Sequence, residues 1–130
     1  MTKVRVEKHI VGPVSTNCYF VIDKETDEAL IIDPGDEPVF LGNKIETSHL
    51  RPLAILLTHG HFDHAGAARE LSGVFNIKIY ALEDEREILK NPAFNLSASM
   101  ILKPEEYSAD IYLKDNEETV LNGFKFTTLH

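Results

Sequence analysis

The most informative stretch of this sequence is residues 53–66, LAILLTHGHFDHAG. Its first part is an apolar run, which is typical of a strand covered on both faces of a sheet. Its second part carries three histidines and one aspartate within six residues: His59, His61, Asp63 and His64. We expect the strand to deliver this loop to the carboxyl edge of a sheet, where α/β folds collect their ligands. Gly60 allows the backbone to turn closely between the first two histidines.

These four side chains form a ligand set for divalent metal ions. Imidazole nitrogen and carboxylate oxygen suit zinc, iron or manganese. Four such donors at one strand-to-helix turn would repel each other or stay unsatisfied without a cation between them. They are also more than one tetrahedral ion takes from one loop, so the pattern predicts two adjacent metal ions.

The segments around the loop predict a mixed sheet with helices. Residues 17–23 and 29–33 are apolar and β-branched, and with an alternating strand near the N-terminus they indicate a β-meander. Apolar residues at helical spacing predict a helix over residues 40–50. A strand over 53–58, a helix over 65–71 and a strand over 77–81 make a βαβ unit, whose two strands should be parallel.

The last third of the sequence predicts shorter elements. Two helical stretches are expected at residues 83–89 and 93–102, followed by a charged loop region with a weak strand near Ile111. The Asn122-Gly123 pair predicts a β-hairpin turn, because both residues tolerate positive φ angles. An acidic group is expected to be a solvated helix face: Glu83, Asp84, Glu85 and Glu87. The sequon Asn95-Leu96-Ser97 is expected to be idle.

Composition sets the class of protein. The chain has 130 residues, which is one domain at most, and 43% of them are hydrophobic, as in a folded globular protein. The formal net charge of −8 argues against a nucleic-acid partner. The single cysteine, Cys18, excludes an intrachain disulfide and is expected to be a small buried hydrophobe. A secretory signal and a membrane span are both lacking, so we expect a cytoplasmic protein without a membrane partner.

Three motifs resemble one known family. Residues 58–66 (THGHFDHAG), 12–21 (GPVSTNCYFV) and 31–35 (IIDPG) are similar to motifs of the metallo-β-lactamase superfamily, above all its glyoxalase II (hydroxyacylglutathione hydrolase)-like branch. The resemblance covers about residues 6–130. It implies the αββα four-layer sandwich of that superfamily, with the metal site at the sheet edges.

The resemblance also implies roles for individual residues. His59 and His61 would bind the first metal ion, and Asp63 and His64 the second. Asp63 would in addition orient the nucleophile, which makes it the expected catalytic residue. Asp33 would be a second-shell carboxylate that orients the site by hydrogen bonding. Asn17 and Thr58 match motif positions and are interpreted as structural.

The implied function is that of a zinc-dependent hydrolase, with two zinc ions per complete site and with iron or manganese as alternatives. A hydroxide from the binuclear site would attack the carbonyl of a small-molecule thioester or ester. A nuclease of the same superfamily is disfavoured by the net charge of −8. An iron protein similar to a persulfide dioxygenase remains open, and it would hold one iron per chain.

The chain departs from the family pattern at its end. Leu129-His130 is similar to the start of a His-Thr-Pro-Gly-His motif whose last histidine is a ligand, so residues 1–130 are interpreted as a C-terminally truncated first half of the domain. Each ion would then have two ligands where catalytic zinc takes about three from the protein. We therefore expect partial metal occupancy and slow or absent hydrolysis.

The alternative function is a catalytically inactive partial domain that binds metal weakly and self-associates, as a homodimer or by strand exchange, through its exposed apolar surface.

Overall fold

The computed structural model describes residues 3–101 and 104–129, and its main element is a six-stranded mixed sheet. The strands lie across the sheet in chain order: β1 (Val4–Val11), β2 (Thr16–Asp23), β3 (Glu28–Ile32), β4 (Arg51–Leu57), β5 (Lys78–Leu82) and β6 (Ile111–Leu113). The pairs β1–β2 and β2–β3 are antiparallel, and the pairs from β3 to β6 are parallel. This confirms the predicted meander, the parallel βαβ unit and the weak strand near Ile111.

Helical segments connect the parallel strands and cover one face of the sheet. They are α1 (Pro38–Thr47), α2 (Phe62–Ala65), α3 (Ala68–Phe75), a 3₁₀ turn (Glu83–Glu85), α4 (Arg86–Lys90) and α5 (Ser97–Met100). The main core lies between these helices and the sheet. It joins fully buried strand residues to fully buried helix residues, among them Phe20, Ile31, Ile55, Leu41, Leu71 and Leu89.

A β-hairpin lies on the other face of the sheet. It consists of β7 (Glu118–Leu121) and β8 (Phe124–Thr127), and Asn122 in its turn takes the left-handed conformation with φ 50°. Phe124 packs against Leu30 and Ala54 of the main sheet. Helices, main sheet and hairpin thus form successive layers, as expected for the first part of an αββα sandwich.

The uncovered part of this second face is apolar. On β1, Val4, Val6 and Ile10 are exposed large hydrophobic residues. Self-association through this surface stays a prediction. No helix among residues 3–101 and 104–129 is long and apolar enough to cross a membrane.

Two predicted helices differ from the observed ones. The helix expected over 65–71 is interrupted between α2 and α3, because Gly66 packs against Gly35 and the N–H of Ala67 donates to the carbonyl of Pro34 (2.9 Å). The helix expected over 93–102 is reduced to α5, since a turn precedes Ser97. Three residues within the predicted segments lie outside the described residues: Leu102, Lys103 and His130.

Candidate metal centre

The ends of β3 and β4 place the candidate ligands side by side. These strands are parallel neighbours, so their carboxyl ends meet at the same edge of the sheet. Asp33 follows β3 directly, and its N–H donates to the carbonyl of Leu56 near the end of β4 (2.9 Å). The loop with His59 follows β4 directly. The predicted location of the histidine loop, at the carboxyl edge, agrees with this arrangement.

Three residues bring potential ligand atoms together at this edge. One atom each from Asp33, His59 and His64 lies within 4.8 Å of the other two. Nδ1 of His64 is 3.0 Å from Oδ2 of Asp33, and the ring centroids of His59 and His64 are 4.8 Å apart. Asp33 is buried, His64 is half-buried and His59 is exposed. The group is therefore reachable from solvent through His59.

Thr58 organises two members of this group. Its N–H donates to Oδ1 of Asp33 (2.7 Å), and its hydroxyl donates to Oδ2 of the same carboxylate. The hydroxyl oxygen lies 2.9 Å from Nδ1 of His59. With the hydroxyl proton directed to Asp33, this contact fits a His59 ring that carries its proton on Nδ1 and has Nε2 available as a ligand atom. The sequence interpretation of Thr58 as structural missed this contact.

Asp63 joins the group through His64. Its Oδ2 atom lies 3.4 Å from Nε2 of His64 and accepts a hydrogen bond from the hydroxyl of Thr16 (2.8 Å). Thr16 is buried at the start of β2 and was not identified from the sequence. His61 is the N-cap residue of α2 and is half-buried. Among the described residues, His61 lies outside the group formed by Asp33, His59 and His64.

The electrostatics of the group favour a positive charge. The pKa of His64 is raised above its ordinary value, chiefly by hydrogen bonding to the Asp33 carboxylate. Burial acts in the opposite direction, and the charges of Asp33, Asp63 and Glu85 raise the pKa further. Either a proton on the His64 imidazole or a bound divalent ion would balance the negative charge of these carboxylates.

The donor set fits a metal ion. Nδ1 of His64 faces the Asp33 carboxylate at 3.0 Å, and Nε2 lies 3.4 Å from Oδ2 of Asp63, where the two atoms could share an ion. Imidazole nitrogens and carboxylate oxygens are ligands of zinc and of other borderline divalent ions. This side of the site therefore accommodates a cation.

Glu85 corrects one prediction from the sequence. The acidic residues after β5 were expected to form a solvated face, yet Glu85 is only 9% exposed and its Oε1 accepts the N–H of Gly60 (2.8 Å). Its neighbours Glu83 and Glu87 are exposed, as expected. The signal that would have found Glu85 is its position, because the carboxyl end of β5 lies at the same sheet edge as the histidine loop.

Asn95 supports the start of α2. Its carbonyl accepts the N–H of Phe62 (2.8 Å), the residue before Asp63. Its side-chain Nδ2 donates to the carbonyls of Leu89 and Glu105, at 2.9 Å each, and its Oδ1 accepts the N–H of Ser97. Asn95 is fully buried, so the side chain of this sequon makes hydrogen bonds inside the fold and does not lie at the surface.

Comparisons with known proteins agree with this geometry. The sequence model of the Metallo-beta-lactamase superfamily matches residues 11–130. The probable metallo-hydrolase YqgX of Bacillus subtilis (strain 168) is 36% identical over 120 residues, covering 92% of this chain and 56% of that protein. The hydroxyacylglutathione hydrolase GloC of Haemophilus influenzae is 33% identical, covering 88% of this chain and 54% of that protein.

A solved structure extends the agreement to three dimensions. The crystal structure of the BLEG-1 B3 metallo-beta-lactamase superposes with a TM-score of 0.87 at 34% identity, covering 95% of this chain and 59% of that chain. The chain spans about half the length of the curated relatives it matches. The match over residues 11–130 and the shared fold show that the chain belongs to the metallo-beta-lactamase superfamily.

Proposed function

We propose that this chain carries the metal loop of a hydrolase that acts on thioesters, in which His59 and His61 hold one divalent ion and Asp63 and His64 a second. The observation that carries the proposal is the convergence of Asp33, His59 and His64 within 4.8 Å at the carboxyl ends of β3 and β4. Asp63 extends this group by its 3.4 Å approach to Nε2 of His64. The combination of imidazole and carboxylate donors at this edge supports the presence of a cation.

The residues of the chain have separate tasks in this proposal. Thr58 orients the ring of His59 and presents its Nε2 atom, while Thr16 holds the Asp63 carboxylate in place. Asp33 acts as an outer carboxylate that fixes Thr58 and His64. When bound, the ions supply a hydroxide at neutral pH and positive charge for the developing oxyanion. Asp63 would hold an ion and direct the attacking oxygen towards the carbonyl.

The substrate class rests on the relatives. The name hydroxyacylglutathione hydrolase describes a thioesterase, and GloC of Haemophilus influenzae carries it at 33% identity. We propose zinc as the metal and a small glutathione thioester as the substrate, in the cytoplasm. Both assignments are open to direct measurement.

The test is a metal titration combined with an activity assay. The metal-free chain is titrated with zinc, iron(II) and manganese(II), bound metal is counted per chain, and hydrolysis of a glutathione thioester is followed. His59→Ala and Asp63→Ala should each lower metal binding, whereas His49→Ala, at an exposed position beyond α1, should not. Unchanged metal binding in both site variants would refute the proposed site. One bound iron per chain would instead favour the alternative of an iron protein similar to a persulfide dioxygenase.

A second candidate function is favoured by how little of its relatives this chain covers. The chain spans 56% and 54% of two curated relatives, so the alternative is a metal-binding part of a domain without turnover of its own. Bound zinc without measurable thioester hydrolysis by the 130-residue chain would favour this alternative. Hydrolysis that depends on zinc and on Asp63 would exclude it.

A further inference from the structure

Glu85 is a buried carboxylate behind the metal loop. It ends the 3₁₀ turn that follows β5 and is 9% exposed, while Glu83 and Glu87 on either side are exposed. Burying an ionised carboxylate is costly unless hydrogen bonds compensate for its lost hydration. A buried carboxylate therefore needs a hydrogen-bond partner, and the partner of Glu85 indicates what this residue does.

The partner of Glu85 is the main chain of the metal loop. Oε1 of Glu85 accepts the N–H of Gly60 at 2.8 Å, in a buried environment. This N–H belongs to the peptide that joins His59 to Gly60. Since a peptide unit is planar, holding its N–H orients the whole plane of the His59–Gly60 peptide, and this plane lies between the two residues that carry the His59 and His61 rings.

Gly60 also packs closely against Ile88 and Leu89 of α4. A Cβ atom at Gly60 would lie 2.9 Å from Cγ2 of Ile88 and 3.0 Å from the backbone nitrogen of Leu89. The loop therefore lies directly on α4, with only hydrogen at position 60. Packing against α4 and the hydrogen bond to Glu85 together restrict the backbone at Gly60.

We propose that Glu85 is a positioning residue of the metal site, which fixes the His59–Gly60 peptide and so presents the two histidine rings to an ion. This inference rests on the proposed function, because it takes residues 59–64 as the metal loop. Glu85 itself does not bind the ion. Outer hydrogen-bond partners of metal ligands typically contribute 10–100-fold to metal affinity.

The test compares two variants of Glu85, one that removes the charge of the side chain and one that shortens the side chain. Glu85→Gln keeps an oxygen acceptor at the same distance and removes the charge, whereas Glu85→Asp keeps the charge and shortens the reach by one methylene group. Zinc affinity is measured by competition with a chromophoric chelator on the full chain. We expect Glu85→Asp to weaken zinc binding about 10-fold or more and Glu85→Gln to stay within about 3-fold of the wild type. Glu87→Gln, at an exposed position, is the matched control and should leave the affinity unchanged.

Two further readouts keep the outcomes distinct. The visible spectrum of the cobalt(II)-loaded chain should change in Glu85→Asp, because the histidine ligands are displaced, and not in Glu85→Gln. The amide proton of Gly60 should exchange slowly in metal-free wild type and fast in metal-free Glu85→Asp. Equal zinc affinity in wild type and Glu85→Asp would overturn the inference, and so would greater damage from Gln than from Asp. A wild-type chain that binds no zinc would refute the proposed function instead, while slow Gly60 exchange would still support the hold of Glu85 on the loop.

Discussion

Gly35 lies against the main chain of Asp63, so close that a Cβ atom at position 35 would be 1.6 Å from the Asp63 carbonyl oxygen. The contact is tight from the other side as well, because a Cβ at Gly66 would be 2.1 Å from the carbonyl oxygen of Gly35. The loop after β3 and the short helix α2 thus touch backbone to backbone. Asp33 and His64 belong to these two segments, and the contact holds their side chains 3.0 Å apart.

Replacing Gly35 should damage both stability and the site. In Gly35→Ala the new methyl group meets backbone, which cannot rotate away, so we expect a loss of about 1–3 kcal/mol or more in the free energy of unfolding. Urea denaturation measures the loss. Gly73→Ala is the matched control, since nothing lies within 4 Å of a Cβ in that helical position. It should gain about 0.5–1 kcal/mol from helix propensity. Similar effects of the two substitutions would contradict the backbone contact.

Thr16 should tune metal binding through Asp63. Thr16→Val keeps the shape of the side chain and removes the hydroxyl that donates to Oδ2 of Asp63 at 2.8 Å. The carboxylate loses its orientation, and we expect zinc affinity to fall about 10-fold. Thr16→Ser keeps the hydroxyl and should bind zinc nearly as the wild type does. Chelator competition measures both variants, and equal affinity of Thr16→Val and wild type would show that Asp63 needs no such support.

The local pattern of apolar residues in the sequence predicted most of the fold. The strands and the parallel βαβ unit were predicted because apolar residues of buried strands occur in short uninterrupted or alternating runs. The interruption between α2 and α3 was missed, because its cause is the contact of Gly66 and Ala67 with residues 34 and 35 of another loop. Helix propensity carries no information about such a distant backbone contact.

The candidate site likewise has a local part that the sequence could identify and a part, distant in sequence, that it could not. The four candidate ligands at residues 59–64 form one local motif, so the sequence could single them out, and their assignment as ligands stays a prediction. The supporting residues are distant in sequence: Thr16 is 47 positions from Asp63, and Glu85 is 25 positions from Gly60. Glu85 was further hidden among acidic neighbours that do face solvent. Parallel strand order is the only sequence-derived feature that would have directed attention to it.

Asn95 should be a large contributor to stability. Asn95→Ala removes the two hydrogen bonds that the fully buried Asn95 amide donates to the carbonyls of Leu89 and Glu105, and the one it accepts from the N–H of Ser97. A hydrogen bond of this kind contributes about 0.5–1.5 kcal/mol, so we expect the loss of three to lower stability in urea denaturation by about 2 kcal/mol or more. Asn43→Ala, on the exposed side of α1, should change stability by no more than about 0.5 kcal/mol. A change of that small size in Asn95→Ala would show that water replaces the lost contacts.

Cys18 should make the fold sensitive to alkaline pH. Burial, with a smaller effect from the charge of Asp33, raises the pKa of the Cys18 thiol from 9.0 to about 12. The folded chain therefore keeps the thiol proton at pH values where the unfolded chain has lost it. The free energy of unfolding contributed by this group is fully present below pH 9 and is lost as pH rises from about 9 to about 12.

The measurement is urea denaturation between pH 8 and pH 11 on wild type and Cys18→Ala. Other groups also titrate in this range, so the difference between the two proteins isolates the thiol. Wild type should lose stability more steeply than the variant, with a slope difference that approaches ~1.4 kcal/mol per pH unit. The variant itself starts from lower stability, because it leaves a small cavity in the core. Parallel pH profiles would mean that the thiol ionises as easily in the folded chain as in the unfolded one, against its complete burial on β2.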